Sequence, residues 1–189
     1  RASAQLISYE IAVTITLVSV ILTAGTLNLV EIVEAQRDAG VWFGFLQPVA
    51  LVLVFIGGLA ETNRMPFDLP EAETELTGGF HTEYSGMRFS LFFLAEYANI
   101  IVISAVVVIM FMGGWLAPFS NVAAFDFFEI IPGWIWFIGK IFVFLYLFIW
   151  LRATLPRYRY DQLMNIGWKV LIPIALGNLV ITGIAKVVF

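Results

Sequence analysis

The sequence predicts an all-α protein, a polytopic bundle of about five transmembrane helices. Of its 189 residues, 61% are hydrophobic and 13% are charged, and the mean hydropathy is +0.94. A soluble domain is about 45–50% apolar and about 25% charged, so a soluble chain of this composition would lack polar surface. Lipid removes that constraint, because it solvates an apolar exterior. We therefore predict a single membrane domain over residues 1–189.

Five apolar stretches of roughly 18–25 residues carry this prediction, since that length crosses a bilayer at about 1.5 Å per residue. Runs this long are typical of membrane helices rather than buried strands. In chain order they are about Ile11–Val30, Val41–Ala60, Phe89–Trp115, Trp134–Leu151 and Ile166–Ala185.

The basic residues predict the orientation of these spans. Cytoplasmic loops carry an excess of Lys and Arg, and one set of loops here holds most of them. Segments 61–88 and 152–165 are therefore expected to face the cytoplasm, or the matrix of a mitochondrion; we call this the inner side. The inner arginines are Arg1, Arg64, Arg88, Arg152, Arg157 and Arg159, against Arg37 and Lys186 on the outer side and Lys140 just inside a span.

Composition also excludes several functions. A pI near 4.9 and a net charge of −4 argue against a basic nucleic-acid footprint. The chain has no cysteine and one histidine, His81, so it lacks the usual ligands of an Fe–S cluster or a b-type haem. We expect no metal site and no bound redox cofactor. The start at Arg1, without a signal-like segment, predicts a piece of a longer chain.

The inner segment 61–88 is strongly acidic and is the first candidate site. Asp68 and Glu71 have an ordinary structural explanation, because they fit a helix N-cap and its capping box. Helix capping does not explain the other acids within the same few turns. Crowding and burial raise carboxyl pKa values, so the cluster is predicted to hold and pass protons. Its acids are Glu61, Asp68, Glu71, Glu73, Glu75 and Glu83, with Arg64 alone opposing them within 61–83.

Two further glutamates lie in or beside the spans. A charge near the bilayer centre costs about 2.5–3.5 kcal/mol on insertion scales and often marks an ion or proton route. Glu96 lies inside the third span, whereas Glu10, at the start of the first, has an equally good interpretation as an interfacial residue. Together with Glu61 they approach the inner side and outline a proton path. Lys140 and Lys169 lie near span ends, where we expect them to be structural and to reach the interface.

At this point the residues become recognisable as a family pattern. ETNRMPFDLPEAE at 61–73, EL at 75–76 and EYSG at 83–86 closely resemble the central loop of the quinone-chamber membrane subunit of respiratory complex I. The family comprises the H subunits of bacterial complexes and subunit 1 of mitochondrial ones. RASAQLISYE at 1–10 and LRATLPRYRYDQLM at 151–164 resemble other blocks of the family in the expected order. The resemblance covers essentially the whole chain and implies the C-terminal portion of a longer protein.

The resemblance implies roles for three groups of residues. Glu10, Glu61, Glu71, Glu73 and Glu96 match the family's proton path of carboxylates. Phe67, Phe92 and Phe93 match the quinone chamber or its wall, and Arg64 and Asp68 match an ion pair that holds the chamber's shape. Arg157, Arg159 and Asp161 match a contact with another subunit.

The resemblance also implies partners, substrate and location. Quinone would be the substrate, and FMN and the Fe–S clusters would lie in partner subunits, with no cofactor on this chain. Those partners are the hydrophilic-arm subunits that hold the terminal Fe–S cluster and the quinone headgroup site, and the small and antiporter-like membrane subunits. The setting is a bacterial plasma membrane or a mitochondrial inner membrane. The function implied is that of a proton-translocating NADH:quinone oxidoreductase subunit, inactive in isolation.

Three alternatives remain open. A membrane-bound hydrogenase subunit shares the architecture without using quinone, but the full acidic loop with Phe67 favours the quinone version. A proton or cation transporter would usually show inverted repeats, and none is visible in the sequence. A structural membrane anchor would explain the spans but leaves Glu96 unexplained.

Overall fold

The computed structural model describes residues 2–62, 67, 86–118, 131–156 and 158–188. All regular structure in these ranges is helical, and the N-terminal and C-terminal ends of successive membrane helices alternate between the two sides. The elements are α1 (Ala2–Ala24), α2 (Leu29–Ala39), α3 (Phe43–Leu46), α4 (Pro48–Glu61), α5 (Met87–Phe111), α6 (Gly133–Thr154), α7 (Tyr160–Ile166), the π-helical segment Gly167–Leu171 and α8 (Ile172–Val188).

The prediction of a polytopic helical membrane protein is confirmed. Four helical stretches in the described ranges are long and apolar enough to span a bilayer, namely Ala4–Ala24, Met87–Phe111, Gly133–Thr154 and Tyr160–Val188. The apolar helix α4 is shorter, at 14 residues. At 1.5 Å per residue it covers about 21 Å, less than the roughly 30 Å of a bilayer's hydrocarbon core.

The first predicted span, Ile11–Val30, was placed too far along the chain. Helix α1 begins at Ala2 and ends at Ala24, where Gly25 has φ 78°. The Asn28 side chain then accepts a hydrogen bond from the Val30 backbone N–H at 3.1 Å and starts α2. An Asn at this position is a preferred N-cap because it satisfies an unpaired amide of the first turn. Residues 29 and 30 therefore belong to a separate, amphipathic helix on the outer side.

The second predicted span, Val41–Ala60, is interrupted. Gln47 leaves helical geometry with φ −128° and ψ 63°, and Pro48 begins α4 at its first position. Proline suits that position because its missing N–H is one that a first helical turn leaves unpaired. The break separates α3 from α4 and brings the amide of Gln47 into the bundle, where it is 8% exposed.

Lys140 joins the outer ends of α5 and α6. Its ammonium donates to the backbone oxygens of Met112, Gly114 and Leu116 at 2.7, 3.0 and 2.6 Å, and lies 4.5 Å from the centre of the Trp42 ring. A lysine has three N–H donors, and these three carbonyls match that number. The expected structural role of Lys140 agrees with these contacts, and at 9% exposure its side chain is held by protein carbonyls at the outer end.

The last predicted span, Ile166–Ala185, lies within a longer helical stretch, Tyr160–Val188. This stretch begins with α7 at Tyr160 and continues through the π-helical segment into α8. Here the chain packs against α1, where Trp168 Nε1 donates to Ser8 Oγ at 2.8 Å. A single π-helical turn inside a helix is rare and is often found at functional sites.

Helices α1 and α4 approach each other closely through a glycine. A Cβ added at Gly57 would lie 2.1 Å from Val13 Cγ2, well inside van der Waals contact. This packing separates two buried clusters, an inner one around Tyr9 and Leu163 and an outer one around Val20 and Phe111. The outward helix faces are apolar, as expected for contact with lipid or other membrane subunits. Examples are Leu94, Phe142 and Ile181.

Candidate carboxylate and chamber site at the inner end

The structure describes eight of the residues singled out from the sequence. It describes Glu10, Glu61, Phe67, Phe92, Phe93, Glu96, Arg159 and Asp161. Arg64, Asp68, Glu71, Glu73 and Arg157 lie outside the described residues, so their predicted roles stay predictions. The described part of the site is formed by the helices that approach the acidic segment.

Glu61 lies at the inner end of α4 and is affected by the charge of Glu10 on the inner half of α1. Glu61 is the last residue of α4 and follows the apolar stretch that ends at Ala60. Partial burial is the main cause that raises the pKa of Glu61, and the negative charge of Glu10 raises it further. A negative charge on one carboxylate disfavours ionisation of another in its vicinity. The close approach at Gly57, one turn before Glu61, is what brings the helices together.

Phe67 anchors the start of the acidic segment to the inner core. Its backbone oxygen accepts a 2.8 Å hydrogen bond from Gln5 Nε2. Its ring lies 5.4 Å from that of Tyr9 and 6.1 Å from that of Tyr158, and the residue is 5% exposed. The Tyr9 hydroxyl donates in turn to the Leu163 backbone oxygen at 3.1 Å. The structure thus places Phe67 inside the packed core, in contact with α1.

An apolar cleft opens between α4, α5 and α6 beside these carboxylates. Its volume is about 180 Å³. Arg152, in the last turn of α6, supplies a guanidinium at its inner end. A mostly apolar lining with a few polar groups is a feature of small-molecule sites, although those commonly have larger volumes of roughly 300–1,000 Å³. The lining residues are Leu59, Tyr97, Ile100, Leu145, Phe148, Ile149 and Arg152.

Glu96 lies beside this cleft. It is partly buried on α5, directly before Tyr97 and about one turn before Ile100, both of which line the cleft. Leu59 lines the opposite wall two residues before Glu61. The cleft is thus lined by residues close in sequence to Glu96 on α5 and to Glu61 on α4.

Phe92 and Phe93 do not line this cleft, so their place in the wall of a quinone chamber stays a prediction, and the cleft has lining residues that the sequence analysis did not single out. Phe92 is 47% exposed, and the Phe93 ring packs on Phe89 at 4.7 Å. The sequence did contain a signal for the wall that was missed, because four of its members are spaced like one face of a helix. These are Leu145, Phe148, Ile149 and Arg152.

The second inner segment presents polar groups outward. Arg159 and Asp161 are both exposed, and the Arg159 backbone N–H donates to Gln162 Oε1 at 3.3 Å at the start of α7. Their side chains therefore remain accessible for the subunit contact that the resemblance implies.

Fold and site together define an integral membrane protein of several helices, with carboxylates and an apolar cleft at one end. Comparison with known proteins makes this more specific. The family model described as "NADH dehydrogenase" matches residues 1–183. The chain therefore belongs to the NADH dehydrogenase family.

Relatives at about half identity extend over nearly the whole chain. The H subunit of NADH-quinone oxidoreductase from Rhodospirillum centenum is 53% identical over 189 residues, covering 100% of this chain and 54% of the relative. A second H-type subunit, from Geobacter metallireducens, is 50% identical over 184 residues, with 97% and 50% coverage. The H subunit from Rickettsia typhi is 51% identical over 181 residues, with 96% and 52% coverage. The chain thus spans about half the length of the curated relatives it matches.

Proposed function

We propose that the chain forms part of the membrane subunit of a proton-translocating NADH:quinone oxidoreductase. The observation that carries the proposal is the apolar cleft between α4, α5 and α6, whose lining includes Leu59, two residues before Glu61, and Tyr97, directly after Glu96. Its apolar wall suits the isoprenoid and ring carbons of a quinone. The names of the relatives support quinone over the hydrogenase alternative, because they are quinone oxidoreductase subunits.

The electrons would come from partner subunits, because the chain has no cysteine and a single histidine with which to hold a metal cofactor. Reduction of a quinone to a quinol consumes two electrons and two protons, and each proton must come from the inner side or from nearby acids. In this proposal the cleft holds the quinone within the membrane, and Arg152 at its inner end orients a carbonyl oxygen by hydrogen bonding. The chain would thus position the substrate and leave electron transfer to its partners.

The carboxylates would couple this chemistry to proton movement. A Glu61 carboxyl with a raised pKa binds a proton more readily than an ordinary glutamate, and a change in charge nearby alters that balance. Quinone reduction changes the charge at the chamber. The response would pass from Glu73 in the acidic segment through Glu61 to Glu96 and on to the antiporter-like subunits. Arg64 and Asp68 would hold the shape of the chamber, and Arg159 and Asp161 would contact the hydrophilic arm.

The proposal is tested by filling the cleft. Leu145→Trp places an indole against the α6 wall, whereas Val143→Trp adds the same group at a position that is 55% exposed and outside the lining. Both variants are assayed in membranes for NADH-to-quinone turnover and for NADH-to-ferricyanide turnover, which needs only the hydrophilic arm. We expect Leu145→Trp to lower the quinone rate by at least about tenfold, equivalent to about 1.4 kcal/mol, with the ferricyanide rate preserved.

The control variant should leave both rates near those of the unmodified complex. Equal quinone rates for the two tryptophan variants, in complexes assembled to the same extent, would refute the assignment of this cleft to quinone. A second variant, Glu73→Gln, tests the acidic segment by the same pair of assays. Loss of the quinone rate alone would support a role of Glu73 in quinone reduction or proton transfer. If both rates and proton pumping stay intact, Glu73 does not belong to the proton path.

A further inference from the structure

A second cleft lies at the outer end of the bundle, far from the carboxylates. Its volume is about 330 Å³, space for about ten groups the size of a water molecule. It opens between the end of α1, the α3–α4 break and the last turns of α8. The lining residues are Thr23, Leu46, Gln47, Asn178, Ile181, Thr182, Ala185 and Lys186.

The inner wall of this cleft is a fixed polar network. Gln47 Nε2 donates to Thr23 Oγ1 at 2.5 Å, and Asn178 Nδ2 donates to Ser19 Oγ at 3.0 Å. Ser19 Oγ also lies 3.2 Å from Gln47 Oε1, so that α1, α4 and α8 are joined at one point. Gln47 is 8% exposed and Ser19 is fully buried. The polar groups of such a network must find hydrogen-bond partners within the protein, because lipid offers none. These hydrogen bonds keep the wall rigid.

Lys186 gives the cleft its charge. Its ammonium donates to the Thr23 backbone oxygen at 3.0 Å, which uses one of its three N–H groups and holds it at the rim. The side chain is exposed, and no other charged residue is among those that line the cleft. The outer side of the wall, at Leu46, Ile181 and Ala185, is apolar. One cation and no acidic side chain among the lining residues, beside an apolar groove, are complementary to a lipid with a net negative headgroup and an acyl chain.

We propose that this cleft binds an anionic phospholipid of the outer leaflet. Lys186 binds its phosphate, and one acyl chain lies along Leu46 and Ile181. Neither the polar network nor Lys186 takes part in the proton path or the quinone cleft. One lysine close to an anionic lipid headgroup strengthens binding by about fivefold.

The test uses the complete protein, purified with its partner subunits and placed in nanodiscs. The probe is phosphatidylglycerol with a photoactivatable diazirine in its acyl chain, and adducts are mapped by mass spectrometry. We expect adducts on Leu46, Ile181 or Ala185. Lys186→Gln should lower their yield by about fivefold. Lys169→Gln, which removes an exposed lysine nearer the inner end of the same helical stretch, should leave the yield unchanged.

Competition in the unmodified protein identifies the source of the phosphate and does not depend on any variant. Unlabelled phosphatidylglycerol should suppress the adducts, whereas phosphatidylcholine or inorganic phosphate at the same concentration should not. Equal competition by phosphatidylcholine, suppression by inorganic phosphate, or equal yields for the two lysine variants would overturn the proposal. Absence of lipid adducts, as expected if another subunit covers the cleft, would overturn it as well.

Discussion

The contact between α1 and α4 at Gly57 gives the most quantitative prediction. In Gly57→Ala the new Cβ would lie 2.1 Å from Val13 Cγ2, about 1.4 Å short of the roughly 3.5 Å at which two carbons make contact. The Tyr9 backbone oxygen is 3.9 Å away, so the clash is with one side chain. Relief requires a new Val13 rotamer or a movement of α1 away from α4. Overpacking of this kind costs about 1–3 kcal/mol.

Gly139 provides a matched control on α6. A Cβ added there meets no atom within 4 Å, so Gly139→Ala carries the gain in helix propensity without a clash. The difference between the two alanine variants therefore isolates the packing term. We expect Gly57→Ala to have a free energy of unfolding about 1–3 kcal/mol lower than Gly139→Ala. The assay is denaturation of the complete subunit by SDS titration in mixed micelles.

The second readout of this prediction concerns the carboxylates. Because Gly57 lies one turn before Glu61, displacement of α1 should move Glu10 away and weaken its effect on the pKa of Glu61. Val13→Ala removes the clashing methyl and should restore most of the stability lost in Gly57→Ala. Equal unfolding free energies for the two alanine variants, or failure of Val13→Ala to rescue, would refute the reasoning.

Two other predictions follow from single contacts. Lys140→Met leaves the backbone oxygens of Met112, Gly114 and Leu116 without their donor, at about 1–3 kcal/mol for each unsatisfied carbonyl. SDS titration should show this loss of unfolding free energy. Lys169→Met, at an exposed position, should unfold with a free energy close to that of the unmodified protein. Equal stability of the two variants would contradict the role of Lys140. Glu10→Gln removes a negative neighbour and should lower the pKa of Glu61, which stays above its ordinary value because burial is the larger cause. This pKa is measured by infrared titration of the protonated carboxyl band that disappears in Glu61→Gln. Glu34→Gln, on the exposed face of α2, is the control. An unchanged pKa in Glu10→Gln, or an equal shift in the control, would show that Glu10 does not affect Glu61.

The fold class was predictable because a high apolar content and apolar runs long enough to cross a bilayer indicate directly that lipid surrounds the helices. Helices α5 and α6 fall close to the spans predicted from hydropathy, Phe89–Trp115 and Trp134–Leu151. The errors arise where local backbone chemistry overrides hydropathy. The turn at Gly25 and Asn28 ends the first span early, and the break before Pro48 divides the second. A hydropathy window averages over such positions, because one glycine, asparagine or proline contributes little to the mean of about twenty residues.

The sequence alone determined that the protein is a polytopic helical membrane protein, and it predicted which loops share a side and which acids carry protons. These follow from composition, charge and spacing, which can be read from the order of residues along the chain. Only the tertiary structure decided that the charge of Glu10 affects Glu61, that Phe67 is held by Gln5 and Tyr9, and that Lys140 is buried. Those facts depend on which helix faces meet, and the contacts that set them, such as Val13 against Gly57, join residues far apart in the chain.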